Sequence, residues 1–178
     1  MRRPSAVTLD GQGKLVLTAT WENGQIVSSG MGHRVNYTYG RFVFRVRLEP
    51  DPTGTMSGNV LTWPPEQWSP EFTENDMWET GWHPNNTYRF NTFIHFGTQN
   101  FQHWYVHDKD PSQWHIVEMD WRAERLAIYV DGEFAWETTD EPAIPDIAHH
   151  ICMQLDPEAN RPLEHPIRMF VDWVRIYR

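Results

Sequence analysis

The sequence holds a single cysteine, Cys152, so no disulfide can form within the chain, and a lone thiol of this kind is expected as a small buried side chain. Long apolar runs are missing as well, and no stretch approaches the length that crosses a bilayer as a helix. The opening residues, Met1-Arg2-Arg3-Pro4-Ser5-Ala6-Val7, carry basic charge with no apolar segment behind it, so as it stands the start is not a signal peptide. Positive charge is scarce overall. Fifteen Lys and Arg face 24 Asp and Glu, which leaves a net charge of −9 and a pI near 5.4. Such a chain argues against nucleic acid or anionic membranes as partners and suits a neutral polymer. Helical periodicity is almost absent.

What the sequence has in quantity is aromatic rings and short alternating runs. Ten Trp and nine Phe exceed what a core for 178 residues needs, so several are expected on a surface. Leu15, Leu17 and Ala19 alternate with Lys14, Val16 and Thr18, and Phe42, Phe44, Val46 and Leu48 alternate with Arg41, Val43, Arg45 and Arg47. The same period of two runs from Tyr88 to Phe96, over Ile116–Trp121 and Leu126–Val130, through Ile151, Met153 and Leu155, and from Phe170 to Tyr177. Asp131-Gly132 reads as a tight hairpin turn, whereas 49–55, the Trp-rich stretch from Trp63, 108–112 and 142–145 read as loops. Short strands with Pro and Gly punctuation predict a β-sandwich of two antiparallel sheets. With no repeat, linker or low-complexity tract, residues 1–178 are expected to form one domain. Trp173 is expected to pack in the core of that sandwich.

Three carboxylates stand in six residues, Glu74-Asn75-Asp76-Met77-Trp78-Glu79, among apolar side chains rather than in a solvated charge run. On a regular strand Glu74 and Asp76 share a face and Glu79 takes the other. One β-bulge near Met77-Trp78 brings all three together. The two glutamates would then stand roughly 13 Å apart at Cα, and their side chains can lean to a carboxyl separation of about 5–5.5 Å, that of a retaining glycosidase.

This segment, with Trp63-Pro64-Pro65-Glu66-Gln67-Trp68-Ser69-Pro70 before it, resembles the signature of glycoside hydrolase family 16, the laminarinase-like β-glucanases. Ser69 between Trp68 and Pro70, and Thr73 where the family usually has Gly, depart from the pattern without removing a carboxylate. Leu9–Ala19, Tyr39–Arg45, Tyr129-Val130-Asp131-Gly132 and 171–177 also resemble family segments, in order and spacing, over nearly the whole chain. The resemblance implies a jelly-roll, concanavalin A-like sandwich with a catalytic cleft on its concave sheet. It implies that Glu74 is the nucleophile and Glu79 the acid/base, with Asp76 hydrogen-bonded to Glu74, helping to hold it ionised, and raising the pKa of Glu79. Trp68 and His95 match cleft positions of the family, and Trp63, Trp104 and Gln154 are further candidates for contact with sugar. Trp114-His115 and Trp121 resemble family positions on the convex sheet and packing face, which implies that they lie in the core.

Family members usually open with a strand and loop that have no counterpart here. Many relatives bind a structural Ca2+ through that segment and an Asp near the last strand, which Asp172 matches; alone it falls short of the six or more oxygens calcium takes. No cofactor is required by the chemistry. The expected protein is a monomeric endo-acting β-glucanase on β-1,3 or mixed β-1,3/1,4-glucan, exported by analogy with relatives that act on extracellular polymers. A non-catalytic glucan-binding protein on the same fold, and a hydrolase or transglycosylase of another polysaccharide such as a galactan, are the alternative readings.

Overall fold

The computed structural model describes residues 1–65, 73–81 and 89–178, and strands dominate them. In chain order these are β1 (Val7–Leu9), β2 (Leu15–Glu22), β3 (Gln25–Val27), β4 (Ser29–Gly32), β5 (Gly40–Leu48), β6 (Met56–Trp63) and β7 (Thr73–Glu79). There follow β8 (Phe90–Phe96), β9 (Phe101–His107), β10 (His115–Arg122), β11 (Arg125–Val130), β12 (Glu133–Thr138), β13 (His150–Pro157) and β14 (Ile167–Tyr177). The only helical turns among the described residues are short 3-10 turns at Pro4–Ala6 and Glu141–Ala143.

These strands make two antiparallel sheets. One runs β1-β2-β14-β5-β10-β11-β12, with β3 paired to β2; the other runs β4-β13-β6-β7-β8-β9. The alternating side chains explain why they stack. Phe42, Phe44, Val46 and Leu48 of β5, with Val117, Met119 and Trp121 of β10, meet Val60 of β6, Phe90 and Ile94 of β8, and Ile151, Met153 and Leu155 of β13 in one apolar core. Strands such as β10 thereby hide one face and leave the other for charge. The Asp131-Gly132 turn forms as expected, with φ of 57° and 85° that suit its Asp-Gly sequence.

Several elements depart from the sequence reading. Trp63, expected in a loop, instead ends strand β6, opposite His150. β6 itself was not anticipated because both of its faces are buried, so its residues do not alternate in polarity. Short β3, glycine-bearing β4 and the edge strand β9 were likewise not read as strands. Trp173 is half-buried on the outer side of the larger sheet rather than in the core. The ladder gains one residue at Asp172, so Val171 faces Val46 while Trp173 faces the outward Arg45. Trp114 is also half-buried and outward, with the guanidinium of Arg45 4.5 Å and that of Arg47 5.4 Å from its ring. Trp121 is fully buried, and its indole N–H donates to the Pro145 carbonyl at 2.9 Å.

Candidate active site

Strand β7 carries a β-bulge. Asp76 pairs with Leu61 and Trp78 with Val60, so Met77 is the extra residue. On the other side the register slips between Asp76 and Glu79, which pair with Phe93 and Asn91. Met77 and Trp78 both point into the core although they are consecutive, and that double inward step returns Glu79 to the face of Glu74 and Asp76. The expected bulge and shared face are present.

Register extends this face across the whole sheet. One row reads Gly32, Cys152, Leu61, Asp76, Phe93, Trp104. The next reads Gly30, Gln154, Asn59, Glu79, Asn91, Val106, and Glu74 faces His95, which faces Gln102. Trp63, at the end of β6, has the parity of Asn59 and Leu61. The structure therefore brings His95, Trp63, Trp104 and Gln154 to the face that bears the carboxylates. Trp104 is 58% exposed on the edge strand β9. Trp68 lies outside the described residues.

The acidic strand is fastened from below. Thr73 Oγ1 is 3.0 Å from Nε2 of His149, whose Nδ1 is 3.1 Å from Thr62 Oγ1, and the Asn75 amide donates to that same hydroxyl at 3.0 Å. His149 is fully buried, and burial pushes its pKa down to about 3, so the ring is a neutral strut between strands. Thr73, the departure from the family pattern, is thus a structural anchor.

Electrostatically the site is an acid pocket with little compensation. Burial raises the pKa of Glu79 to about 8, and the charges of Asp76 and then Glu158 push the same way. Glu74 is raised equally, to about 8, by burial first and by Asp76 second, and the two carboxyls share a hydrogen bond; Asp76, 3% exposed, is itself raised by burial to about 7. Asp76 thus raises Glu79 as expected, but its charge disfavours ionised Glu74 rather than favouring it. The group that favours ionised Glu74 is His95, whose Nε2 stands 3.3 Å from Asp76 Oδ2. Glu74, Asp76 and His95 each offer an atom within 4.8 Å of the others, the only grouping of three or more potential ligand side chains among the described residues.

Asp172 lies elsewhere, on the larger sheet, where Nη1 of Arg45 donates to its carboxylate at 2.5 Å. Its charge is met by Arg45, and among the described residues no cluster of three or more His, Cys, Asp or Glu side chains includes it.

Four side chains near the carboxylates were not anticipated. Asn91 is 1% exposed beside Glu79, and its Oδ1 meets no hydrogen-bond partner among the described residues. Its signal was available, since Asn91, Phe93 and His95 alternate on one strand. Cys152 is buried as expected, but on the site's face beside Leu61, where burial and then the charge of Glu74 push its thiol up to about 11, against the pull of Arg2. Arg2 forks onto Asp156 at 2.6 and 3.0 Å and donates to Gln154 Oε1 at 2.7 Å. Asn100 Oδ1 is 2.9 Å from Nδ1 of His95. The last two contacts join distant strands or a turn, which no local pattern announces.

A family model, Glycosyl hydrolases family 16, matches residues 2–175. The chain belongs to glycosyl hydrolase family 16. It is a glycoside hydrolase with the family's jelly-roll sandwich. Among solved structures, a Bacteroides ovatus mixed linkage glucan family 16 protein in complex with a product aligns with a TM-score of 0.82 at 20% identity, over 98% of this chain and 86% of that one. The laminarinase catalytic domain from Thermotoga maritima gives 0.82 at 17% identity, over 99% and 82%. The kappa-carrageenase from Pseudoalteromonas carrageenovora gives 0.76 at 16% identity, over 98% and 83%. Identities this low establish a common fold. No curated protein sequence matches the chain.

Proposed function

We propose that this family 16 member is a retaining endo-β-glucanase acting on β-1,3 or mixed β-1,3/1,4-glucan. The observation that carries the reading is the bulge at Met77, which sets Glu74, Asp76 and Glu79 on one face of one strand. In the first step the Glu74 carboxylate attacks the anomeric carbon, the glycosidic C–O bond breaks, and Glu79 gives its proton to the leaving oxygen. In the second, Glu79 takes a proton from water, which displaces Glu74 from the sugar. The raised pKa of Glu79 keeps a proton available for the first step at neutral pH. Glu74 must be ionised to attack, and the cationic form of His95 beside Asp76 favours that state.

A neutral glucan is favoured over a sulfated galactan by the make-up of the sheet that bears the site. Its six strands contain no Lys or Arg. Arg2, which reaches this face from outside them, is engaged by Asp156. A face whose strands carry no fixed cation, on a chain of net charge −9, offers a polyanion no partner and leaves aromatic stacking and neutral hydrogen bonds for binding. Trp104, Trp63 and Gln154 are proposed as sugar contacts. Action on such a polymer takes place where the polymer is, so an extracellular site of action belongs to the same proposal.

Reducing-end release from laminarin, lichenan, agarose and κ-carrageenan, with Glu74→Gln beside the wild type, tests it. Turnover of laminarin or lichenan that is lost in the variant is expected. Turnover of κ-carrageenan alone would overturn the substrate class, and no turnover by a folded protein would leave a glucan-binding role in its place.

A further inference from the structure

His95 is held at both ring nitrogens. Nε2 faces Asp76 Oδ2 at 3.3 Å, and Nδ1 faces Asn100 Oδ1 at 2.9 Å. Asn100 closes the four-residue turn between β8 and β9: its N–H donates to the Gly97 carbonyl at 3.0 Å, and its φ of 52° lies in the left-handed region that asparagine tolerates better than most residues. The turn therefore delivers an amide oxygen to a ring five residues back. An amide oxygen only accepts, so the contact requires a proton on Nδ1.

We propose that Asn100 is a positioning residue that fixes the tautomer of His95, with Nδ1 protonated and Nε2 committed to exchanging a proton with Asp76. The consequence follows from counting protons. When His95 is neutral, its Nε2 lone pair faces Asp76, and the contact is a hydrogen bond only if Asp76 holds the proton. When Asp76 is ionised, the contact is a hydrogen bond only if His95 is the imidazolium. A proton held by the His95–Asp76 pair in either state offsets part of the repulsion that Asp76 exerts on Glu74. Among the described residues no other side chain is placed to take this role. Across β7 the ring meets the carboxyls of Glu74 and Asp76, with Glu79 farther along; across β9 it meets the uncharged Gln102; on its own strand it meets the ring of Phe93. The inference rests on the catalytic reading above for its effect on turnover, though not for the tautomer itself.

Two variants separate the role from the turn. Asn100→Gly keeps the left-handed backbone and removes the amide, while Asn100→Asp keeps an acceptor at the same place. The readout is long-range 15N–1H NMR of the His95 ring, together with kcat and KM on whichever polymer is cleaved. Expected are an Nδ1–H ring in the wild type and in Asn100→Asp, and loss of that preference in Asn100→Gly. Asn100→Gly should also lower kcat on the order of tenfold at nearly unchanged KM, with Asn100→Asp restoring it. An Nε2–H ring in the wild type, or an unchanged ring in Asn100→Gly, would overturn the proposal. The NMR result stands even if no polymer is cleaved, so the tautomer assignment and the glucanase reading fail separately.

Discussion

Thr73 Oγ1 and His149 Nε2 lie 3.0 Å apart, joining the first residue of the acidic strand to a ring buried between the sheets. Because that ring is neutral in the folded protein, with a pKa near 3 against about 6.5 when unfolded, the unfolded chain takes up a proton that the native one refuses as pH falls below 6.5. The contribution of His149 is therefore fully present above that pH and is lost at up to about 1.4 kcal/mol per pH unit toward the folded pKa. Urea unfolding of wild type and His149→Gln at pH 7, 6 and 5 checks this. The stability difference should shrink as pH falls, and a His149 ring that titrates near 6.5 by NMR would contradict it.

The carboxylate opposite in sign is Glu79. Its folded pKa of about 8 exceeds the unfolded value of about 4.5, so the native state binds the proton more tightly and this group favours folding least at high pH. Glu79→Gln should accordingly leave stability unchanged below about pH 4.5 and raise it progressively up to pH 8, on the order of 1–3 kcal/mol there, while abolishing glycosidase turnover. A loss of stability at pH 8 would count against the acid pocket described above.

The charge pattern of the six-stranded sheet makes a separate claim about substrate. Laminarin and its sulfated derivative differ chiefly in charge, so their KM values should respond differently to salt. For laminarin KM should change little between about 20 mM and about 0.5 M NaCl; for the sulfated form it should be several-fold higher at low salt and fall as salt screens the repulsion. Preference for the sulfated polymer at low salt would point to cationic groups that the six strands do not contain.

How much of this was legible in the sequence depended on parity. The triad was readable because Glu74, Asp76 and Glu79 make chemical sense only on a shared face, which demands one extra residue, and Met77 is that residue. The same device hid Trp173. The irregularity at Asp172 turns that ring outward, and nothing in the residues 171–174 alone signals it. β6 escaped because Thr62 is buried against His149 while Leu61 is buried on the opposite face, which erases alternation. The contacts of Arg2 with Gln154 and Asp156 span 152 and 154 positions, and only the folded register creates them.

The central claim is that Glu74 and Glu79 act by two successive displacements at one carbon. Proton NMR of the anomeric signal during the first minutes of lichenan or laminarin hydrolysis tests it most directly. The account predicts that the β-anomer of the new reducing end appears first and converts to the α-anomer only by mutarotation. An α-anomer formed first would mean a single inverting displacement and would contradict the roles given to both glutamates.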